Sequence, residues 1–140
     1  MDPLQIPSAD LAYLGDAVFE VLVRERLIKE GHSGAGRLNR MAMDYVTAVN
    51  QSAAADRIVS ELRDDESDVF RRARNQSKAP PPPSATVAQY RKATALEALF
   101  AYLWLCGKSD RASELFEKAF DGGNTAARPE ESDKSDKTEN

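Results

Sequence analysis

Apolar residues recur along this chain at the three-to-four-residue spacing of helices, and no segment alternates polar and apolar for long enough to make a convincing strand. The pattern predicts an all-α fold. A first helix is expected to start at Ser8, whose side chain can cap the run Ala9-Asp10-Leu11, and to stop near Glu30, because Gly31 can adopt the left-handed conformation. Its middle is apolar all round, which predicts a central, buried helix. A glycine-rich turn, Gly31 to Gly36, leads to a helix from Arg37 to Tyr45, a second from about Thr47 to Leu62, and a third opened by Asp64-Asp65 and running to Asn75. Four consecutive prolines, Pro80 to Pro83, then forbid helix and favour an extended segment up to about Thr86. The second buried helix is expected from about Thr86 to Cys106, ended by Gly107, and Ser109 can cap a last amphipathic helix ending near Phe120.

Both apolar helices carry acid. Between Leu11 and Val23 the only charged residues are Asp16 and Glu20, one helical turn apart, and between Ala93 and Gly107 the only one is Glu97. A lone carboxylate in an apolar helix is costly to bury ionised unless it is paired, hydrogen-bonded or bound to a metal. Asp16 and Glu20 project from one helix face, and if the two apolar helices pack side by side Glu97 joins them. Carboxylates completed by water suit Mg²⁺ or Mn²⁺, and a site of that kind acidifies water and offsets charge on a phosphate. From spacing alone, the same acids read more readily as residues that cap a neighbouring helix or pair with an arginine. For Glu20 the pairing is the stronger reading, since Arg24 lies four residues on.

At 140 residues, 41% of them hydrophobic, the chain is long enough for one core without disulfides or structural metal. Its single cysteine, Cys106, and single histidine, His32, exclude an intrachain disulfide and a Cys/His zinc site. No charged-then-apolar leader is visible and the longest charge-free run is too short to span a bilayer, so a cytoplasmic protein with no membrane partner is expected. The net charge of −4 argues superficially against nucleic acid, but the last twenty residues hold six acids against three bases, and without them the net charge is −1. Gly122-Gly123 closes the folded part, which predicts a domain over residues 1–121 and a disordered acidic tail over 122–140.

Basic residues cluster on both sides of the prolines: Arg71, Arg72, Arg74 and Lys78 before them, Arg91 and Lys92 after, with Arg37 and Arg40 earlier. On a shared face they would make a positive patch for a phosphate backbone; otherwise they are a solvated surface. The proline loop is likewise either held out toward a partner or an inert linker. Trp104, Tyr102 and Phe100 read as core, His32 as a loop residue near a helix end, and Met41 and Met43 as filler. No glycine-rich phosphate loop, nucleophile elbow or dinucleotide fingerprint is present.

The segment Leu11-Ala-Tyr-Leu-Gly-Asp-Ala-Val-Phe-Glu20 resembles the signature helix of the ribonuclease III family, and Ala95-Leu-Glu-Ala-Leu99 resembles that family's second acidic helix. Arg72-Ala-Arg-Asn-Gln-Ser-Lys78 and Val87-Ala-Gln-Tyr-Arg91 look like segments of its Mini-ribonuclease 3 branch, which has the catalytic domain without a double-stranded-RNA-binding domain. The resemblance covers residues 9 to 121. It implies a homodimeric helical endonuclease domain that cleaves double-stranded RNA with Mg²⁺, with Mn²⁺ as a substitute, and whose task is trimming the large-subunit (23S) ribosomal RNA precursor. Position by position, Asp16 and Glu97 match the family's essential metal-holding acids, with Glu20 as a supporting neighbour. RNA contacts are expected from Arg72, Arg74, Asn75, Lys78 and Arg91. Leu11, Tyr13 and Leu14 are expected near the dimer contact.

Two departures matter. Full-length ribonuclease III enzymes place a Glu four residues before the signature Asp and an Asp three before the second Glu; here Ala12 and Thr94 stand there. Fewer direct ligands leave waters to complete the metal shell. Two rival functions follow from other classes: a catalytically silent ribonuclease-III-like binding module, and an all-α nucleotide pyrophosphohydrolase. The latter generally needs more acids on one helix than Asp16 and Glu20 provide.

Overall fold

The computed structural model describes residues 1–121, so the predicted tail over 122–140 lies outside the described residues. The helices are α1 (Ser8–Lys29), α2 (Ala35–Val46), α3 (Ala48–Ile58), α4 (Asp64–Gln76), α5 (Val87–Leu105) and α6 (Ser109–Asp121), with 3-10 turns at Pro3–Gln5 and Val59–Glu61. No strand occurs among the described residues. The all-α reading holds. The stretch expected as one helix from Thr47 to Leu62 is α3 plus the second 3-10 turn, and α2 starts earlier than Arg37 because Gly34, at φ 94°, turns the chain directly into Ala35.

Capping follows the residues in most places. Thr47 Oγ1 accepts from the Asn50 N–H at 3.3 Å, and Thr86 and Gln89 cap each other at 3.1 and 2.9 Å, which fixes the start of α5 after the prolines. Gly31 and Gly107, both with positive φ, end α1 and α5, and the N–H groups of the residues after them return to Leu27 and Leu103. Ser8 and Ser109 are not caps but first helical residues. Pro7 holds the cap position of α1, where its carbonyl accepts from Asp10 and Leu11, while Ser8 is buried without a side-chain partner.

Helix α5 is the axis of the molecule, with α1, α3 and α4 packed around it and α6 closing one end. Its run Ala98 to Leu103 is buried on all sides, as the absence of polar positions predicts. Phe19, Phe100, Phe116, Phe120 and Tyr45 form a ring cluster with centroids 4.9 to 6.5 Å apart, which fastens α6 to α1 and α2. Helix α1, by contrast, is not buried all round. Its exposed side carries Tyr13 (87% exposed), Val21 (49%) and Ile28 (59%), whereas Leu11 belongs to the core and is unavailable to a partner. Trp104, expected in the core, is 44% exposed because the covering helices leave the last turn of α5 open on that side. Met43 is also exposed, while Met41 packs partly against the core and His32 accepts from Arg37 at the α1–α2 turn.

The most buried acid is Glu66, 1% exposed, in the first turn of α4. Arg111 of α6 grips both its oxygens at 2.9 Å and also donates to the Glu61 carbonyl, while the Arg63 N–H donates to Glu66 at 2.8 Å. Burial pushes this carboxyl up, but the arginine fork and the backbone N–H outweigh it and hold Glu66 below its ordinary value. Arg111→Ala leaves that charge buried and unpaired and is expected to cost about 3–5 kcal/mol in a urea melt. A loss under about 1 kcal/mol would show that the clamp contributes little.

Candidate active site

Where α1 crosses α5 the two backbones touch. A Cβ built on Gly15 would overlap the carbonyl group of Glu97 and stand 3.0 Å from its Cα, so the next residue, Asp16, is brought beside Glu97 by the absence of a side chain. The pair opens into a cleft of about 770 Å³. Ser8, Ala12 and Asp16 line it from α1, Tyr90, Thr94 and Glu97 from α5, Gln51 from α3, and Gln76, Lys78 and Pro82 from the end of α4 and the loop beyond it.

Gln51, itself buried, donates its Nε2 to Glu97 Oε2 at 3.3 Å. Burial and then the charge of Asp16 push the Glu97 carboxyl up to about 8, against the smaller pull of the Gln51 amide. The proton is therefore bound more tightly in the folded chain than in the unfolded one, whose value is 4.5. That contribution to stability is complete below 4.5 and is lost as pH rises through about 8. In EDTA the protein is expected to lose on the order of 2–4 kcal/mol of stability between pH 5 and pH 9 through this group, and Glu97→Gln to remove most of that loss. Melting curves at the two pH values check it, and a Glu97→Gln protein with the wild-type pH slope would contradict it.

The three acids do not converge. Glu20 pairs with Arg24 at 3.7 Å and lines a separate groove of about 520 Å³ beside Ile28 and Met43. Among the described residues no group of three His, Cys, Asp or Glu side chains is placed to hold a metal. The basic residues are also divided. Lys78 reaches the cleft; Arg91 is exposed in the second turn of α5; Arg74 donates to its neighbour Asn75 at 3.3 Å. Arg72 is half-buried and donates to the Leu4 carbonyl at 3.0 Å, fastening the N-terminal turn to α4. The proline loop is neither a free arm nor an inert linker: Pro82 forms part of the cleft wall, and the Ala85 N–H turns back to its carbonyl at 3.1 Å. Sequence reasoning missed Gln51 and Tyr90. Standing between Asn50 and Ser52 in α3, Gln51 carries no distinguishing signal in the sequence.

An acid pair in a groove between two packed helices, one of them carrying Leu-Gly-Asp-Ala-Val, is the arrangement expected of a ribonuclease III domain, and the family model "Ribonuclease III domain" matches residues 9–108. The chain belongs to the ribonuclease III family. Within it, the similarity is to the Mini-ribonuclease 3 proteins. The protein of that name from Symbiobacterium thermophilum is 42% identical over 120 residues, spanning 86% of this chain and 92% of the relative. The Brevibacillus brevis Mini-ribonuclease 3 is 37% identical over 119 residues, spanning 85% and 89%. An X-ray structure of a protein from Fusobacterium nucleatum superposes with a TM-score of 0.74 at 29% identity, covering 84% of this chain and 94% of that one. The chain is thus an endoribonuclease of the ribonuclease III type.

Proposed function

We propose that this enzyme hydrolyses double-stranded RNA at the Asp16–Glu97 pair with Mg²⁺, and that its substrate is the large-subunit ribosomal RNA precursor in the cytoplasm. The observation that carries the reading is the placement of two carboxylates side by side in an open cleft, one of them pushed up to about 8 by burial and by the other. Two carboxylates that repel one another in a partly apolar setting are satisfied by a divalent cation. Hard oxygen donors with no His or Cys among the cleft-lining residues suit Mg²⁺ or Mn²⁺, and only two ligands suit an ion that keeps several waters. Asp16 and Glu97 would hold it, and when bound it supplies an acidified water and positive charge against the scissile phosphate.

The chain's own residues do the rest. Gly15 sets the spacing of the pair, Lys78 brings positive charge to the cleft, and Arg74, Asn75 and Arg91, close in the chain to the cleft-lining Gln76 and Tyr90, would supply backbone contacts. Arg72 serves RNA binding indirectly, by fastening the turn that precedes α1. Glu20, turned to Arg24 outside the cleft, takes no part in holding the ion. A homodimer is the proposed assembly: Tyr13, Val21 and Ile28 are exposed apolar residues on one side of α1, with the Glu20–Arg24 pair among them, and two copies would set two sites against an A-form duplex, which is read by shape.

The test is incubation of the purified protein with a long RNA duplex. Shortened products are expected with Mg²⁺ and none with EDTA, and light scattering is expected to give twice the chain mass. Intact duplex that is nonetheless bound would favour the silent binding module. Release of pyrophosphate from free nucleotides, with duplex untouched, would favour the pyrophosphohydrolase.

A further inference from the structure

We infer that Gln51 is a positioning residue that turns Glu97 toward Asp16 and thereby sets how tightly the pair takes a divalent cation; the inference rests on the reading of that pair as the cation site. Gln51 is 4% exposed, a rare setting for a glutamine, so its amide must earn its place by hydrogen bonding. Its Nε2 donates to Glu97 Oε2 at 3.3 Å, from a helix 46 residues away in sequence. The bond ties one carboxylate oxygen and leaves the other for a cation shared with Asp16.

The physical need is plain. Two neighbouring carboxylates repel, and a glutamate with free rotamers would swing away and then lose that freedom on binding an ion. A lysine or arginine at this position would hold Glu97 but compete with the cation, and an acid would repel it. A glutamine donates without adding charge. The backbone N–H of Gln51 donates to the Thr47 carbonyl at 2.9 Å, so the residue that carries this amide is anchored in the first turn of α3, which Thr47 caps. The cleft therefore takes its third support from α3, a helix that carries none of the acids.

Gln51→Met keeps the length and volume of the side chain and removes the donor. With the full chain and no RNA, Mn²⁺ titration followed by electron paramagnetic resonance is expected to show a dissociation constant raised about tenfold, the effect of losing one hydrogen bond to a charged group. Cleavage at limiting Mn²⁺ should fall by a similar factor and recover in excess Mn²⁺, with KM for the duplex unchanged. Gln51→Asn, whose donor is drawn back by one methylene, should weaken Mn²⁺ in the same direction and serves if the methionine variant does not fold. A merely structural glutamine would lower the melting temperature of the cation-free protein and leave Mn²⁺ affinity alone, and that result overturns the inference. Glu97→Gln run alongside separates the two levels: if it too leaves Mn²⁺ binding unchanged, the cation site itself has been misplaced; if it abolishes binding while both Gln51 variants retain it, only the role of Gln51 fails.

Discussion

Gly15→Val is expected to lower stability by about 3 kcal/mol and cleavage by about 100-fold, and Gly15→Ala to act in the same direction with a smaller amplitude. The added Cβ overlaps the carbonyl group of Glu97, which is backbone and cannot swing aside as a side chain could. Helix α1 must therefore move off α5 at the level of the acid pair, opening the backbone contact between the two helices and separating Asp16 from Glu97. On helix propensity alone alanine would stabilise α1 by about 1 kcal/mol, so the sign of the Gly15→Ala change decides between the two effects. A denaturant melt in which Gly15→Ala is as stable as the wild type would refute the close-approach argument.

The largest effect on activity is expected from Asp16→Asn and Glu97→Gln. Each keeps shape and removes one of the two carboxylates proposed to hold the cation, since Glu20 is turned to Arg24 and no third acid joins the pair among the described residues. Losing the several kcal/mol that a positioned divalent ion gives to a phosphate under attack corresponds to a fall on the order of 10³-fold or more in rate. Duplex retention should stay within a few-fold, because on the proposed reading the phosphate backbone is bound by basic residues and by none of the acids. In EDTA above about pH 8, where both wild-type carboxyls are charged, the same substitutions relieve the repulsion within the pair, so the inactive proteins are expected there to be at least as stable as the wild type.

Much of the fold was legible because its cues are local. Four prolines, Gly31, Gly107, Thr47 and Thr86 fix where helices stop and start, and each acts within a few residues of itself. The acid pair was legible for a related reason: charge in an apolar helix is conspicuous in any context. What sequence left open depends on which helix meets which. Glu66 is the most buried acid in the domain, yet it stands among Asp64, Asp65 and Asp68 in a polar stretch, and only the approach of Arg111 from α6 explains it. Gln51 and Pro82 join the cleft through tertiary packing alone. The exposed side of α1 was misread as core because a helix apolar all round gives no sign of which stripe the rest of the chain covers. The same limit explains Trp104.

Single-turnover cleavage of an end-labelled RNA duplex, with wild type and Glu97→Gln each in excess over RNA and with Mg²⁺ present, bears most directly on the acid pair. The account predicts that both proteins hold the duplex and that only the wild type cuts it. Cutting by Glu97→Gln at the wild-type rate would contradict the assignment of the Asp16–Glu97 pair as the hydrolytic centre.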